Sequence, residues 1–143
     1  SLHPLDSEVR KCLSQVGDLV RVPELLLLWQ RALDAPSWAG APVWAHCDLL
    51  SGNVLTLEGR LSGILDFAAA GVGDPACDLM AGWSMLPAAS REIFRELLGI
   101  DDHEWDRGRG WALSQAAIAL PYYRNTFPAM AATSLHILGE LGG

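Results

Sequence analysis

Lys11 is the only lysine in a chain of 143 residues, and the ten basic side chains it belongs to are scattered and outnumbered by seventeen acidic ones. A net charge of −7 with no basic stretch lacks the electrostatic footprint that phosphate-backbone binding needs, so no nucleic-acid partner is expected. Cysteine is scarce as well. Cys12, Cys47 and Cys77 are odd in number and no two stand at metal-ligand spacing, which argues against a disulfide-stapled scaffold and a zinc knuckle and makes a cytoplasmic setting the expectation. Apolar runs reach only the length of LLLLW at 25–29. A bilayer span takes about 20 residues, so no membrane partner is expected. The first residues do not read as a secretory leader and there is no initiating methionine, so a piece of a larger protein is the expectation. Internal repeats and low-complexity tracts are absent from the sequence.

Apolar side chains make up half of the residues, enough for the core of a single unit over 1–143. DSEVRKCLSQVG (6–17) opens on capping residues and closes on glycine, and Pro23 suits the first turn of a leucine-rich helix over 22–35. SWAGAP (37–42) breaks the chain. VWAH (43–46), NVLTL (53–57) and RLSGILDF (60–67) are short, apolar and separated by turn residues, so strands are expected. AAAGVGDPACDL is expected to start as a loop, with helices over 76–86, 88–99, 102–120 and 128–141 punctuated by Pro87, Gly99 and Pro121. This order is α+β and mainly helical, with too few strands for a doubly wound sheet.

VWAHCDLLSGNVL (43–55) sets His46, Cys47, Asp48 and Asn53 between apolar neighbours. Adjacent strand residues point to opposite faces, which argues against His46 and Cys47 as a base and nucleophile and leaves Cys47 a small buried residue. A two-residue turn at Gly59 and Arg60 pairs positions whose numbers sum to 119, which sets Asn53 opposite Asp66; a three-residue turn shifts this by one. Opposed residues lie about 4.5–5.5 Å apart at Cα. An amide oxygen and a carboxylate at that separation are hard donors suited to Mg²⁺, which takes one or two protein carboxylates and completes its octahedron with water and phosphate oxygens. Asp48, entering the hairpin, is placed to accept a proton from an incoming hydroxyl. Turn formation is the alternative for each of these residues taken singly.

His46, Asp48 and Asn53 form H-x-D-x-x-x-x-N, with Asp66-Phe67 thirteen residues after Asn53, and this resembles the phosphotransfer core of the protein-kinase-like superfamily. GVGDPACDL (71–79) resembles the G-D-P-x-x-D-L signature of the aminoglycoside phosphotransferase and related small-molecule kinase family. The resemblance implies the C-terminal lobe of a kinase-like fold, and a parent enzyme that transfers the γ-phosphoryl group of ATP to a hydroxyl of a small molecule. It implies Asp48 as the base and Asn53 and Asp66 as the residues holding Mg²⁺ on the ATP phosphates. His46 organises the loop, Asp74 braces it, and Asp78 sits near a helix start, where a carboxylate favours the dipole. No nucleotide-binding lobe precedes the motif and Lys11 falls in a helical pattern, so the isolated chain is expected to be inactive.

Cys47 and Ala68 stand where that family usually has glycine, a residue that reaches backbone angles others avoid. A noncatalytic kinase-like scaffold domain is the alternative function; the joint presence of Asp48, Asn53 and Asp66 speaks against it. A metal-dependent hydrolase needs more ligands than cluster here. The acidic run DDHEWD (101–106) reads as helix N-terminal charge rather than as an attractor of cationic substrates. Trp83, Trp105, Trp111, Tyr122 and Tyr123 read as core rather than as a substrate cleft.

Overall fold

Leucine spacing organises the first two helices. In the computed structural model, which describes residues 1–142, α1 (Asp6–Ser14) buries Val9 and Leu13. α2 (Val22–Asp34) buries Leu25, Trp29, Ala32 and Leu33 on one face and leaves Leu27 exposed on the other. Asp6 ties the pair together, its Oδ1 accepting from the buried Trp29 indole at 2.7 Å and from Arg10 at 2.7 Å.

The β structure is two small sheets rather than one. β1 (Val43–Ala45), β2 (Val54–Leu57), β3 (Arg60–Ile64) and β4 (Gly71–Gly73) form two antiparallel pairs, β1 with β4 and β2 with β3. The expected loop thus contains a strand at 71–73, because β1 needs a partner for its backbone groups; flanking glycines hide that strand from a propensity reading.

The hairpin also departs from the expected register. Its two-residue turn is Glu58-Gly59, both at positive φ (52° and 74°), which puts Leu57 opposite Arg60. An irregularity between Leu55 and Thr56 then shifts the pairing, so that Val54 lies opposite Ile64. One step further Leu65 donates its N–H to the Asn53 carbonyl at 2.8 Å, and Asp66 falls one residue past the position expected for it.

The expected helix over 76–86 is split into a 3₁₀ stretch, Pro75–Met80, and a short α3 (Ala81–Ser84). α4 (Ala88–Leu98) closes on Gly99 in the left-handed region, and α5 (Asp102–Tyr123) and α6 (Pro128–Gly142) complete the chain. α5 runs through Pro121 instead of stopping before it: the proline forfeits one amide donor, but Arg124 still donates to the Leu120 carbonyl at 2.9 Å. α5 is the spine, packed against α1, α2 and α6 and burying Trp105, Leu113, Ala117 and Leu120. Close packing explains Gly108 and Gly110: a Cβ at Gly108 would lie 2.7 Å from Leu79, and one at Gly110 would lie 2.5 Å from Leu2. The result is mainly helical, with the two sheets presenting exposed Trp44, Leu57, Leu61 and Val72.

Candidate active site

The chain leaving β1 is held by one carboxylate. Asp78 accepts the N–H of His46 on Oδ2 and that of Cys47 on Oδ1, both at 2.8 Å, charge-assisted bonds that fix the loop entering Asp48. Asp78 lies in the 3₁₀ stretch as expected near a helix start, but its carboxylate is spent on the loop. Asp74 takes the helix-start duty, accepting from the Ala76 N–H at 3.0 Å, and it pairs with Arg107 of α5 at 2.8 Å. Arg107 also donates to the Pro36 carbonyl at 2.9 Å. Asp78 thus keeps the place expected for it near a helix start and also braces the Asp48 loop, while Asp74 caps that start and anchors it to α5.

His46 is buried, and its Nε2 lies 2.8 Å from the Leu65 carbonyl. A carbonyl only accepts, so Nε2 carries the proton and Nδ1 is left to accept the Asp48 N–H at 3.3 Å. The imidazole therefore joins the Asp48 loop to the far end of β3, with the Phe67 ring edge-on at 4.7 Å.

Both oxygens of Asp48 are taken by amides. Asn53 Nδ2 donates to Oδ2 and to the Asp48 carbonyl, each at 2.9 Å, and Gln115 Nε2 of α5 donates to Oδ1 at 2.5 Å. Because the partners of Asn53 Nδ2 are both acceptors, the amide orientation is fixed and Asn53 Oδ1 remains for another partner. Asp66 sits in the left-handed region at φ 58°, which aspartate tolerates, and caps the turn Phe67–Ala69 through the Ala68 N–H at 3.3 Å.

Ala68 is not among the positive-φ residues, so a methyl group fits there without strain. Cys47 is different: at φ 63° it holds a left-handed conformation that glycine adopts more readily.

Asp48, Asn53 and Asp66 line one cavity of about 570 Å³, together with Gln115 and Tyr123 of α5 and Met130 and Thr133 of α6. A larger cavity of about 920 Å³ between α1, β4 and α5 contains none of the three. The three residues singled out by the motif therefore gather at the smaller one. Asn53 Oδ1 and the Asp66 carboxylate are hard oxygen donors within it, a set that suits a cation retaining water and phosphate ligands. Among the described residues no group of three or more His, Cys, Asp or Glu is arranged to hold a metal, so a closed cage built from these side chains is absent.

Gln115 is the residue that sequence reasoning missed. It forms part of the wall of both cavities, and its Oε1 is buried without a hydrogen-bond partner. Its signal was slight: Ser114 and Gln115 are the polar residues in the otherwise apolar run from Leu113 to Leu120.

The acidic run stays structural. Asp101 caps α5 through the Glu104 N–H at 2.7 Å, Asp102 pairs with Arg95, and none of residues 101–106 lines either cavity. Trp83 and Trp105 are core, as expected, their tilted rings 4.7 Å apart. Trp111 packs against the core as expected and also lines the larger cavity, whereas Tyr122 is exposed and it and Tyr123 line the cavities.

The family model described as the phosphotransferase enzyme family matches residues 3–111. No curated protein matches. Among solved structures, the crystal structure of macrolide 2'-phosphotransferase MphH from Brachybacterium faecium, as apoenzyme, is similar at 26% identity with a TM-score of 0.48. The match covers 96% of this chain and 49% of that one, so the chain spans about half the length of that protein. The family match takes in the whole segment from His46 to Asp78, and the chain belongs to the phosphotransferase enzyme family.

Proposed function

We propose that the protein containing this chain transfers the γ-phosphoryl group of ATP to a hydroxyl of a small molecule, and that these residues form its acceptor-side, C-terminal lobe. One observation carries the reading: Asp48, Asn53 and Asp66 converge on one cavity, and Asp48 is held by neutral amides. Among the described residues no cationic side chain forms a salt bridge with it. A carboxylate held in this way keeps lone pairs free, so it can orient an incoming hydroxyl and take its proton as the new O–P bond forms and the bond from the γ-phosphorus to ADP breaks.

Asn53 Oδ1 and Asp66 would hold Mg²⁺, which when bound supplies charge neutralisation on the nucleotide phosphates. His46 keeps base and metal ligand in step, since it contacts the Asp48 amide and the carbonyl just before Asp66. Among the described residues Asp48 and Asp66 are the carboxylates lining the cavity, which suits a weakly charged acceptor better than a polycationic amino sugar. Nucleotide grip belongs to a further lobe. Among the described residues no strand lies before Val43, Lys11 lies on α1, and the exposed apolar residues of both sheets suit contact with another domain.

The test is phosphotransfer by the complete protein, screened over hydroxylated compounds with Mg²⁺ and ATP. Asp48→Asn should cost about 10²–10⁴ in kcat, the range of a general base, and the 143-residue chain alone should show no transfer. Turnover by the isolated chain, or an Asp48→Asn enzyme within about threefold of wild type, refutes the reading.

A further inference from the structure

Cys12, Cys47 and Cys77 are all free, and all three line the larger cavity of about 920 Å³. Within it the Cys47 side chain is the hydrogen-bonding neighbour of the Cys77 thiol. The Cys47 N–H donates at 2.8 Å to Asp78, the residue next to Cys77, and Cys47 packs against the core cluster that contains Cys77. Burial first, and then the neighbouring Cys47 thiol, push the Cys77 thiol well above the usual cysteine range. Cys47 itself is half-buried and held at φ 63°, a geometry better suited to glycine, and the chemistry at Asp48 makes no use of its sulfur.

We infer that Cys47 and Cys77 are a peroxide-sensitive pair whose disulfide acts on the adjoining Asp48 loop. The more exposed Cys47 sulfur attacks the peroxide, the O–O bond breaks, and one water leaves as Cys47 becomes a sulfenic acid. The Cys77 thiol then attacks that sulfur, the S–S bond forms, and a second water departs. Added thiol reverses the step, supplying two electrons and two protons. The high-lying Cys77 thiol makes closure faster as pH rises, because the thiolate is the attacking form. The bond ties residue 47 to the 3₁₀ stretch that braces it, and Asp48, whose amide leans on His46, moves with that tie.

The test treats the chain with hydrogen peroxide and follows mass, titratable thiols and peptide map. Free thiols should fall from three to one with a loss of about 2 Da and a Cys47–Cys77 peptide. Cys12→Ser should leave the bond intact, whereas Cys47→Ser and Cys77→Ser should each abolish it. In the complete protein, oxidation should lower kcat by about 100-fold, the effect of a displacement on the order of 1 Å, and dithiothreitol should restore it. Pairing through Cys12, or advance to sulfinic acid without a cross-link, overturns the pair. A bond that forms and leaves kcat unchanged overturns its action on the loop. The mass and thiol measurements need no phosphotransfer, so they stand or fall separately from the proposed activity.

Discussion

Gln115→Leu separates the work of Gln115 at the base from its work in the fold. The replacement removes the Nε2 donor to Asp48 Oδ1, and with it a hydrogen bond to a charged group worth about 1.5–3 kcal/mol. It also removes Oε1, buried without a partner, whose desolvation costs about 1–3 kcal/mol. The two effects oppose one another and leucine is close to glutamine in size, so the net change in stability is within about 1 kcal/mol. For a chain of this size that shifts Tm by roughly 2–4 °C. Turnover has no such compensation. Asp48 loses one of the two amides that aim it, and if that bond counts fully in the transition state, 1.5–3 kcal/mol corresponds to roughly 10–150-fold in kcat. Thermal and urea unfolding of the chain give the first quantity; kcat and KM of the complete protein give the second. A variant that loses more than about 3 kcal/mol of stability while kcat holds would show Gln115 to be a packing element, and the reasoning would fail.

Three further outcomes follow from the packing. Arg107→Ala leaves the largely buried Asp74 carboxylate without its partner and should cost about 3–5 kcal/mol in urea unfolding, far more than loss of the exposed Arg31 pair with Asp106. Cys47→Gly should be more stable than Cys47→Ala, since left-handed backbone costs a side-chain-bearing residue about 1–2 kcal/mol and the glycine entropy term returns only roughly 0.4–1 kcal/mol. Asp6 is held below the ordinary carboxylate range, by the Trp29 indole first and Arg10 after it. Its contribution is therefore fully present above the unfolded value of about 3.9 and is lost as pH falls through the lower folded value. The Tm gap between wild type and Asp6→Ala should be constant near neutrality and close only in acid.

Local pattern carried much of the fold. Leucine spacing in α2 and the punctuation at Gly99 place helices within a residue or two, because both signals act over a few residues. The hairpin shows where locality ends. Its turn begins one residue early because Glu58 accepts a positive φ, and the register then slips at Leu55 and Thr56, which no residue type announces. The motif spacing brought Asp48, Asn53 and Asp66 into one cavity despite that slip. That Asp78 rather than Asp74 reaches the Asp48 loop depends on how the 3₁₀ stretch winds, and glycine-flanked Val72 concealed a strand. Gln115 stayed hidden for a different reason: its bond to Asp48 spans 67 positions, and only packing of α5 against the loop creates it.

The paired strands have a consequence for the chain as a solute. With two strands to a sheet, every strand is an edge, and Trp44 (78% exposed), Leu57 (68%) and Leu61 (65%) lie on those edges. Such a surface attracts copies of itself unless something keeps them apart. At neutral pH a net charge of −7 supplies that separation. Toward the isoelectric point near 4.9 the repulsion vanishes while the apolar edges remain, so the isolated chain should grow cloudy there in proportion to its concentration, without unfolding.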